Sequence, residues 1–250
     1  MRHSLALFLL LTLIACSSAS PPEAPAKNTP VEEMYDKAKK QLSEGYYEDS
    51  IKLFETLQSQ YPYGRYAQQA QLEIAYAYYK QNEPDSAVSA AERFIKQYPN
   101  NAHVDYAYYL KGLANFNPDI GLFGMAAGQE PTERDPKAAL DSFSAFKDLV
   151  TRFPDSKYAP DARLRMQYLL NALAKYEIHV ASYYQRRGAH VAAVNRAKEV
   201  LIQYPNAPST RDALMILVKS YNAMGMKQLR DDAQRVLDLN FPPAVSASIN

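Results

Sequence analysis

The chain has 250 residues, of which 47% are hydrophobic, so it is long enough for one repeat domain or two small globular ones. Its 28 basic and 27 acidic residues give a formal net charge of +1, which argues against a nucleic-acid-binding protein because those carry a marked excess of positive charge. The single cysteine excludes an intrachain disulfide and a cysteine-based zinc site.

The first 30 residues are predicted to be a signal peptide followed by a tether. Residues 1–15 carry an apolar run that is too short to cross a bilayer, since a spanning helix needs about 20 residues. The run ends in Leu-Ile-Ala-Cys, which is typical of a bacterial lipobox and predicts lipidation of Cys16. The alternative is an ordinary secretory signal with a chance cysteine. Ser17 favours the outer membrane, and residues 16–30 are rich in Ser, Pro and Ala, as in flexible tethers.

The next 213 residues, 31–243, are predicted to form helical hairpins. The clearest hairpin, residues 66–99, has two amphipathic patterns and the 34-residue period of the tetratricopeptide repeat (TPR). An aromatic residue followed by proline closes each hairpin, because a residue before proline disfavours the α conformation. These closures are Tyr61-Pro62, Tyr98-Pro99, Phe153-Pro154, Tyr204-Pro205 and Phe241-Pro242. We therefore predict an all-α, right-handed superhelical solenoid of about five TPR repeats, at residues 31–62, 66–99, 103–154, 158–205 and 209–242, with a frayed tail at 244–250.

Two departures from the repeat length occur in the middle of the chain. Residues 117–135 contain three glycines and two prolines, and they predict a surface loop or a short helical turn rather than a ligand site, since no Gly-Lys-Ser/Thr follows. Asp135 and Pro136 are predicted to occupy the N-cap and first position of the next helix. Residues 161–187 lack glycine and proline and predict one long helix of about 27 residues.

Two stretches of this sequence resemble a known family. They are RDPKAALDSFSAFKDLVTRFPDSKYAPDAR (134–163) and AKYEIHVASYYQRRGAHVAAVNRAKEVL (174–201). With the lipobox and the five-repeat layout, the chain resembles the BamD (ComL) family of the β-barrel assembly machinery. The resemblance implies an outer-membrane, lipid-anchored protein at the periplasmic face. Its partners would be the POTRA domains of BamA, the other Bam lipoproteins, and the C-terminal signal of unfolded outer-membrane β-barrel substrates.

The TPR pattern suggests where a substrate peptide would bind. First helices of TPR hairpins line one face, and aromatic residues recur on that side of the first three repeats. Tyrosine suits a recognition surface because its ring buries while its hydroxyl stays paired. The alternative is that these rings only pack between repeats. The predicted groove residues are Tyr35, Tyr76, Tyr79, Tyr106, Tyr109 and Phe116.

Charge is segregated along the chain. Residues 163–230 carry 11 basic and 3 acidic residues, a net charge of +8, whereas residues 16–162 carry 15 basic and 21 acidic ones. We predict that the basic repeats dock on BamA, with Arg196 as the anchor and Arg187 and Arg186 beside it, because arginine meets carboxylates bidentately. The alternatives are solvated helix faces or contact with anionic lipid headgroups.

Catalytic chemistry is not predicted from this sequence. The four histidines lack ligand spacing and no nucleophile elbow is present, so we expect a scaffold without enzyme activity, metal or cofactor. An envelope TPR lipoprotein that links the outer membrane to peptidoglycan or the division machinery is the alternative function. A peptidoglycan-cleaving enzyme would need a carboxylate in a cleft, and none has supporting sequence context.

Overall fold

The computed structural model describes residues 30–116 and 136–242, and these residues form ten α-helices without a β-strand. The expectations for the signal peptide, Cys16, the tether, residues 117–135 and the tail lie outside the described residues. The helices are α1 (Val31–Ser43), α2 (Tyr47–Gln60), α3 (Arg65–Lys80), α4 (Pro84–Gln97), α5 (Val104–Asn115), α6 (Lys137–Arg152), α7 (Ala159–Arg186), α8 (His190–Gln203), α9 (Thr210–Ala223) and α10 (Lys227–Asn240).

Every second helix ends at one of the aromatic-proline pairs. The aromatic residue is the C-cap in all five cases, with φ between −129° and −134° and ψ between 51° and 73°, outside the α region. Its N–H still donates to the carbonyl four residues earlier, at 2.8–3.0 Å. The proline that follows cannot continue the ladder, so the helix ends there. The C-cap residues are Tyr61, Tyr98, Phe153, Tyr204 and Phe241.

The predicted helix starts hold to within two residues. Helix α4 begins at Pro84, where the missing N–H of proline costs nothing. Helix α6 begins at Lys137, so Pro136 is its N-cap rather than its first residue, and Asp135 is outside the described residues. The long helix α7 has 28 residues and begins at Ala159, two residues earlier than predicted, because Pro160 is tolerated in a first turn.

The packing confirms an all-α solenoid of helical hairpins. Each helix packs against its neighbours in the chain, and α5 packs on α6 across the 117–135 insertion. In addition α1 contacts α3, α3 contacts α5, and α7 contacts α9. The first helices α1, α3 and α5 of the first three hairpins therefore lie side by side, as do α7 and α9 of the last two.

Helix α7 joins the middle of the solenoid to its C-terminal end. Its first half places Leu169 and Leu173 in a cluster with Phe94 and Phe146. Its second half places Ala181 in the C-terminal cluster of α8, α9 and α10. Because one uninterrupted helix serves both clusters, the fourth hairpin is attached to the third through a hydrophobic core rather than through a linker.

Candidate functional site

Aromatic side chains form a row across α1, α3, α5 and the start of α7, which we call the aromatic ladder. The six residues predicted to line a groove all belong to it, and each is partly buried. The side-by-side packing of the first helices brings rings from different hairpins together. The ladder comprises Tyr66, Tyr35, Tyr76, Tyr79, Tyr106, Tyr158, Tyr109, Phe116 and Tyr168.

The N-terminal end of the ladder is fixed by Glu73 of α3. Tyr35 packs its ring on Phe54 and Tyr66, with centroids 5.6 and 5.4 Å away, and its hydroxyl donates to Glu73 Oε1 at 3.1 Å. Lys39 donates to the same oxygen at 2.7 Å. Burial and the nearby Glu73 carboxylate raise the pKa of Tyr35, so the hydroxyl remains a donor.

The centre of the ladder is a cluster of three tyrosines from α3 and α5. The rings of Tyr76 and Tyr79 lie 6.4 Å apart, and both are close enough to influence the ionisation of Tyr106. Burial is the main cause that raises the pKa of Tyr106, and Tyr158, Tyr76 and Glu73 add to it. This part of the ladder is neutral at physiological pH and suits an apolar or aromatic side chain of a ligand.

The far end of the ladder combines stacked rings with an ion pair. Tyr109 stacks on Tyr158 with centroids 4.8 Å apart and planes 17° apart, and its hydroxyl donates to Asp161 Oδ2 at 2.6 Å. Arg165 Nε donates to the same Asp161 oxygen, and its guanidinium lies 4.6 Å from the Phe116 ring centroid. Burial, which opposes ionisation, is outweighed by the Arg165 and Tyr109 hydrogen bonds, so the pKa of Asp161 is lowered.

The ladder contains residues that the sequence reasoning missed. Tyr158 lies in the turn before α7, outside any helical pattern, yet its ring contacts both Tyr106 and Tyr109. A short repeated signal could have found it, since RYAQQA (65–70) and KYAPDA (157–162) both place a basic residue before Tyr-Ala. In each copy the cation lies over the ring, at 4.6 Å for Arg65 on Tyr66 and 5.0 Å for Lys157 on Tyr158.

The geometry bears on both interpretations of the tyrosines. Each ladder ring packs against a neighbour or the core, as the packing interpretation expects. No ladder ring is fully buried, as a binding surface requires. The ladder is therefore a packing layer whose rings stay partly exposed in each of the first three hairpins, and it could hold an extended chain with aromatic side chains.

The predicted anchor of the basic repeats, Arg196, has a partner within the chain. Its Nη1 donates to both carboxylate oxygens of Glu177 on α7, at 3.1 and 3.3 Å. The Arg196 side chain remains 47% exposed, whereas that of Glu177 is only 13% exposed. An acidic ligand would therefore share the guanidinium with Glu177 rather than meet a free cation.

The two supporting arginines lie at the end of α7 and are exposed. The Arg187 guanidinium covers the ring of Tyr183 at 5.1 Å. On α8, Ala193 and Ala197 are buried, which turns Arg196 toward solvent. The structure therefore places all three predicted arginines on the surface of the fourth hairpin, at the end and on the side of two packed helices.

Within residues 30–116 and 136–242, no group of three or more His, Cys, Asp or Glu side chains has the arrangement of a metal site. A search of the same residues finds no helix that is both long and apolar enough to span a membrane.

Comparisons with known proteins give a consistent family. The family model YfiO, described as an outer membrane lipoprotein, matches residues 27–236. A protein of Neisseria meningitidis serogroup A named outer membrane protein assembly factor BamD is 43% identical over 235 residues, covering 93% of this chain and 88% of the relative. A protein of the same name from Xylella fastidiosa strain Temecula1 is 40% identical, and the match covers 95% of this chain and 80% of the relative. One from Vibrio cholerae is 33% identical, and the match covers 93% of this chain and 95% of the relative.

Among solved structures, a putative kinesin light chain of Podosopora anserina with TPR-like repeats is similar at 16% identity and a TM-score of 0.36. The match covers 84% of this chain and 95% of the kinesin light chain.

Proposed function

Since the chain belongs to the YfiO family of outer membrane lipoproteins, we propose that it is an assembly factor of the β-barrel assembly machinery and acts there as a scaffold without catalytic activity. The observation that carries this function is the identity of 40–43% to BamD proteins over more than nine-tenths of the chain. The test is co-purification of the acylated protein from envelope extracts. Retention of BamA supports the proposal. Retention of murein instead of BamA, or murein hydrolysis by the purified protein, contradicts it.

The scaffold is held at the periplasmic face of the outer membrane by lipidation of Cys16. The apolar run that ends in Leu-Ile-Ala-Cys supports this step. Several acyl chains anchor a protein stably, whereas a single chain binds only marginally. Cys16→Ala is expected to release the protein into the soluble periplasmic fraction. An unmodified Cys16 in membrane-bound protein, detected by mass spectrometry, would contradict the anchor.

The aromatic ladder receives the unfolded barrel substrate as an extended peptide. What supports this proposal is the partial exposure of the rings across three hairpins. Each aromatic pair formed with the peptide contributes about 0.5–1.5 kcal/mol beyond area burial. Photo-crosslinkers placed in a peptide that carries the C-terminal signal should react with Tyr79 and Tyr106, and crosslinks confined to residues 163–230 would refute the assignment.

A substitution series separates binding from packing. Tyr79→Ala removes a ring from the centre of the ladder and should weaken peptide binding, while circular dichroism should show that the variant remains folded. Tyr46→Ala is the matched control, because Tyr46 is 58% exposed in the turn before α2, away from the ladder. Equal peptide affinity for both variants would show that the ladder does not bind the peptide.

The basic fourth hairpin docks on a POTRA domain of BamA through Arg196, with Arg187 and Arg186 in support. The +8 charge of residues 163–230 and the exposure of all three arginines support this proposal. Removing one partner of a desolvated charge pair typically costs about 2–5 kcal/mol and raises the dissociation rate. Arg196→Gln should therefore dissociate faster from isolated POTRA domains.

The pair with Glu177 determines which variants are informative. Arg196→Glu alone would place two carboxylates next to each other and disturb the packing of α7 on α8. The double variant Arg196→Glu/Glu177→Arg keeps an ion pair within the chain and reverses the sign of the exposed charge. Lys198→Glu is the control for net charge, because it replaces a positive by a negative charge at another exposed position of α8, whereas the swapped pair leaves the net charge of the chain unchanged. If Lys198→Glu weakens binding as much as the swapped pair does, the interaction is general electrostatic attraction and not a dock at Arg196.

A further inference from the structure

The most exposed large hydrophobic side chain in the described residues is Tyr63, at 90% of its surface. It lies in the turn between α2 and α3, in the sequence Pro62-Tyr63-Gly64-Arg65. Gly64 has φ +94° and ψ −179°, a conformation open to glycine and strained for other residues. The Tyr63 ring therefore lies in solvent beside a turn position that favours glycine.

The turn itself is well fixed. The Tyr61 N–H donates to Leu57 O at 2.8 Å, and the Gln58 side chain donates to Ala67 O at 3.1 Å across the turn. Arg65 lies over the Tyr66 ring and donates to its hydroxyl at 2.8 Å. Tyr63 is thus presented outward by an ordered turn.

The position of this turn relative to the N-terminus follows from contacts between α1 and α3. Glu73, the ninth residue of α3, meets Tyr35 and Lys39, the fifth and ninth residues of α1. The two helices therefore start at nearly the same level, and packed helices lie about 8–10 Å apart. We call this end of the first two hairpins, comprising residues 30–33 and 60–66, the tether edge, since the N-terminal segment joins the solenoid there.

We propose that the tether edge rests on the phospholipid surface to which the chain is anchored, with the Tyr63 ring inserted at the headgroup level. The inference rests on the lipid anchor of the proposed function. Because the lipid-anchored segment joins the fold at Pro30, the anchor holds this edge closer to the membrane than the opposite edge. Tyrosine prefers the bilayer interface because its ring is apolar while its hydroxyl stays hydrated, and Arg65 beside it suits the phosphate groups.

The charge of the edge identifies which part of the lipid matters. Glu32 and Glu33 are exposed in the first turn of α1, where they favour the helix dipole. They offset the charge of Arg65, so the edge as a whole is not basic. The contact consequently depends on the ring more than on anionic headgroups and should persist on zwitterionic lipid.

The chain contains no tryptophan, which provides a clean test. Tyr63→Trp introduces a single fluorescent reporter at the tether edge, and Tyr46→Trp, 58% exposed at the opposite end of α2, is the matched control. The acylated full-length proteins are reconstituted on phosphatidylcholine vesicles with and without phosphatidylglycerol, some carrying bromine on the acyl chains. Flotation measures anchoring, and bromine quenching measures insertion.

We expect both variants to float, with blue-shifted and bromine-quenched emission from Trp at position 63 only, on both lipid compositions. If the proteins float but bromine does not quench Trp at position 63, or quenches it equally at both positions, this inference is overturned and the lipid anchor is retained. A protein that does not float overturns the anchor and this inference with it. Shielding of position 63 by isolated POTRA domains but not by lipid also overturns the inference, because the ring would then serve a protein contact.

Discussion

Replacing Gly112 by alanine should destabilise the middle of the solenoid, although alanine is the better helix former. Gly112 is buried in α5, and a Cβ built there would lie 2.5 Å from Cδ1 and 2.8 Å from Cζ of Phe146, with Cε1 closer still. Ordinary contacts of this kind begin near 3.4 Å. The Phe146 ring is fully buried and packs against Tyr109 and Phe116, so it cannot move away without displacing them.

The net magnitude follows from two opposing effects. Overpacking a core typically costs about 1–3 kcal/mol, and the large overlap places this case near the upper end. Replacing glycine by alanine inside a helix raises the unfolding free energy by about 1 kcal/mol. We therefore expect the free energy of unfolding to fall by about 2 kcal/mol, measured by urea denaturation followed by circular dichroism.

A double-mutant cycle isolates the cause. Phe146→Leu alone should destabilise by leaving a cavity, but combined with Gly112→Ala it should cost less than the sum of the two single changes, because the clash is gone. Interaction energies of about 0.5–3 kcal/mol are typical of residues in contact. Additive effects, or a Gly112→Ala variant as stable as the wild type, would refute the packing argument.

Three further predictions concern the same core and the ladder. Ser142→Ala removes the buried hydrogen bond from Oγ to Gly112 O, 2.9 Å long, and should lower the unfolding free energy by about 0.5–1.5 kcal/mol in urea denaturation. Leu169→Ala, at a fully buried position of α7, should lower the unfolding free energy by about 2–5 kcal/mol in urea denaturation. If α7 couples the two halves of the solenoid, fluorescence and circular dichroism should report the same unfolding transition. Burial and the hydrogen bond to Asp161 raise the pKa of Tyr109 from 10.0 to about 12. The contribution of Tyr109 is therefore complete below pH 10 and is lost as pH rises toward 12, so Tyr109→Phe should flatten the alkaline loss of the urea midpoint.

Two local properties of the sequence were sufficient to predict the helical hairpins. The period of the apolar residues marks which segments are helices. Proline after an aromatic residue ends a helix whatever surrounds it, so Gln60 and Gln97 were predictable as helix ends. Both signals act within one or two helical turns, and for that reason the ends are correct to within two residues. The lipobox and the two stretches that resemble the family are also local features, so the sequence alone is sufficient to identify them.

The site was predictable only in part, because its contacts join residues far apart in the chain. That Tyr35, Tyr79 and Tyr109 share one face follows from the TPR pattern, since first helices pack side by side. The contribution of Tyr158 does not follow from it. Tyr158 lies in a turn, and only side-chain contacts between α5 and the start of α7 bring it within 4.8 Å of Tyr109.

The amino-acid sequence by itself determined the helices, their pairing into hairpins and the candidate surfaces, because short-range sterics and periodic apolar faces decide these. Tertiary packing alone decided which polar groups far apart in the chain are paired. Arg196 and Glu177 are 19 residues apart and meet only because α8 folds back along α7. Gly112 and Phe146 meet only where α5 packs on α6. Both contacts depend on where one helix crosses another, and that position is set by the whole set of packed side chains.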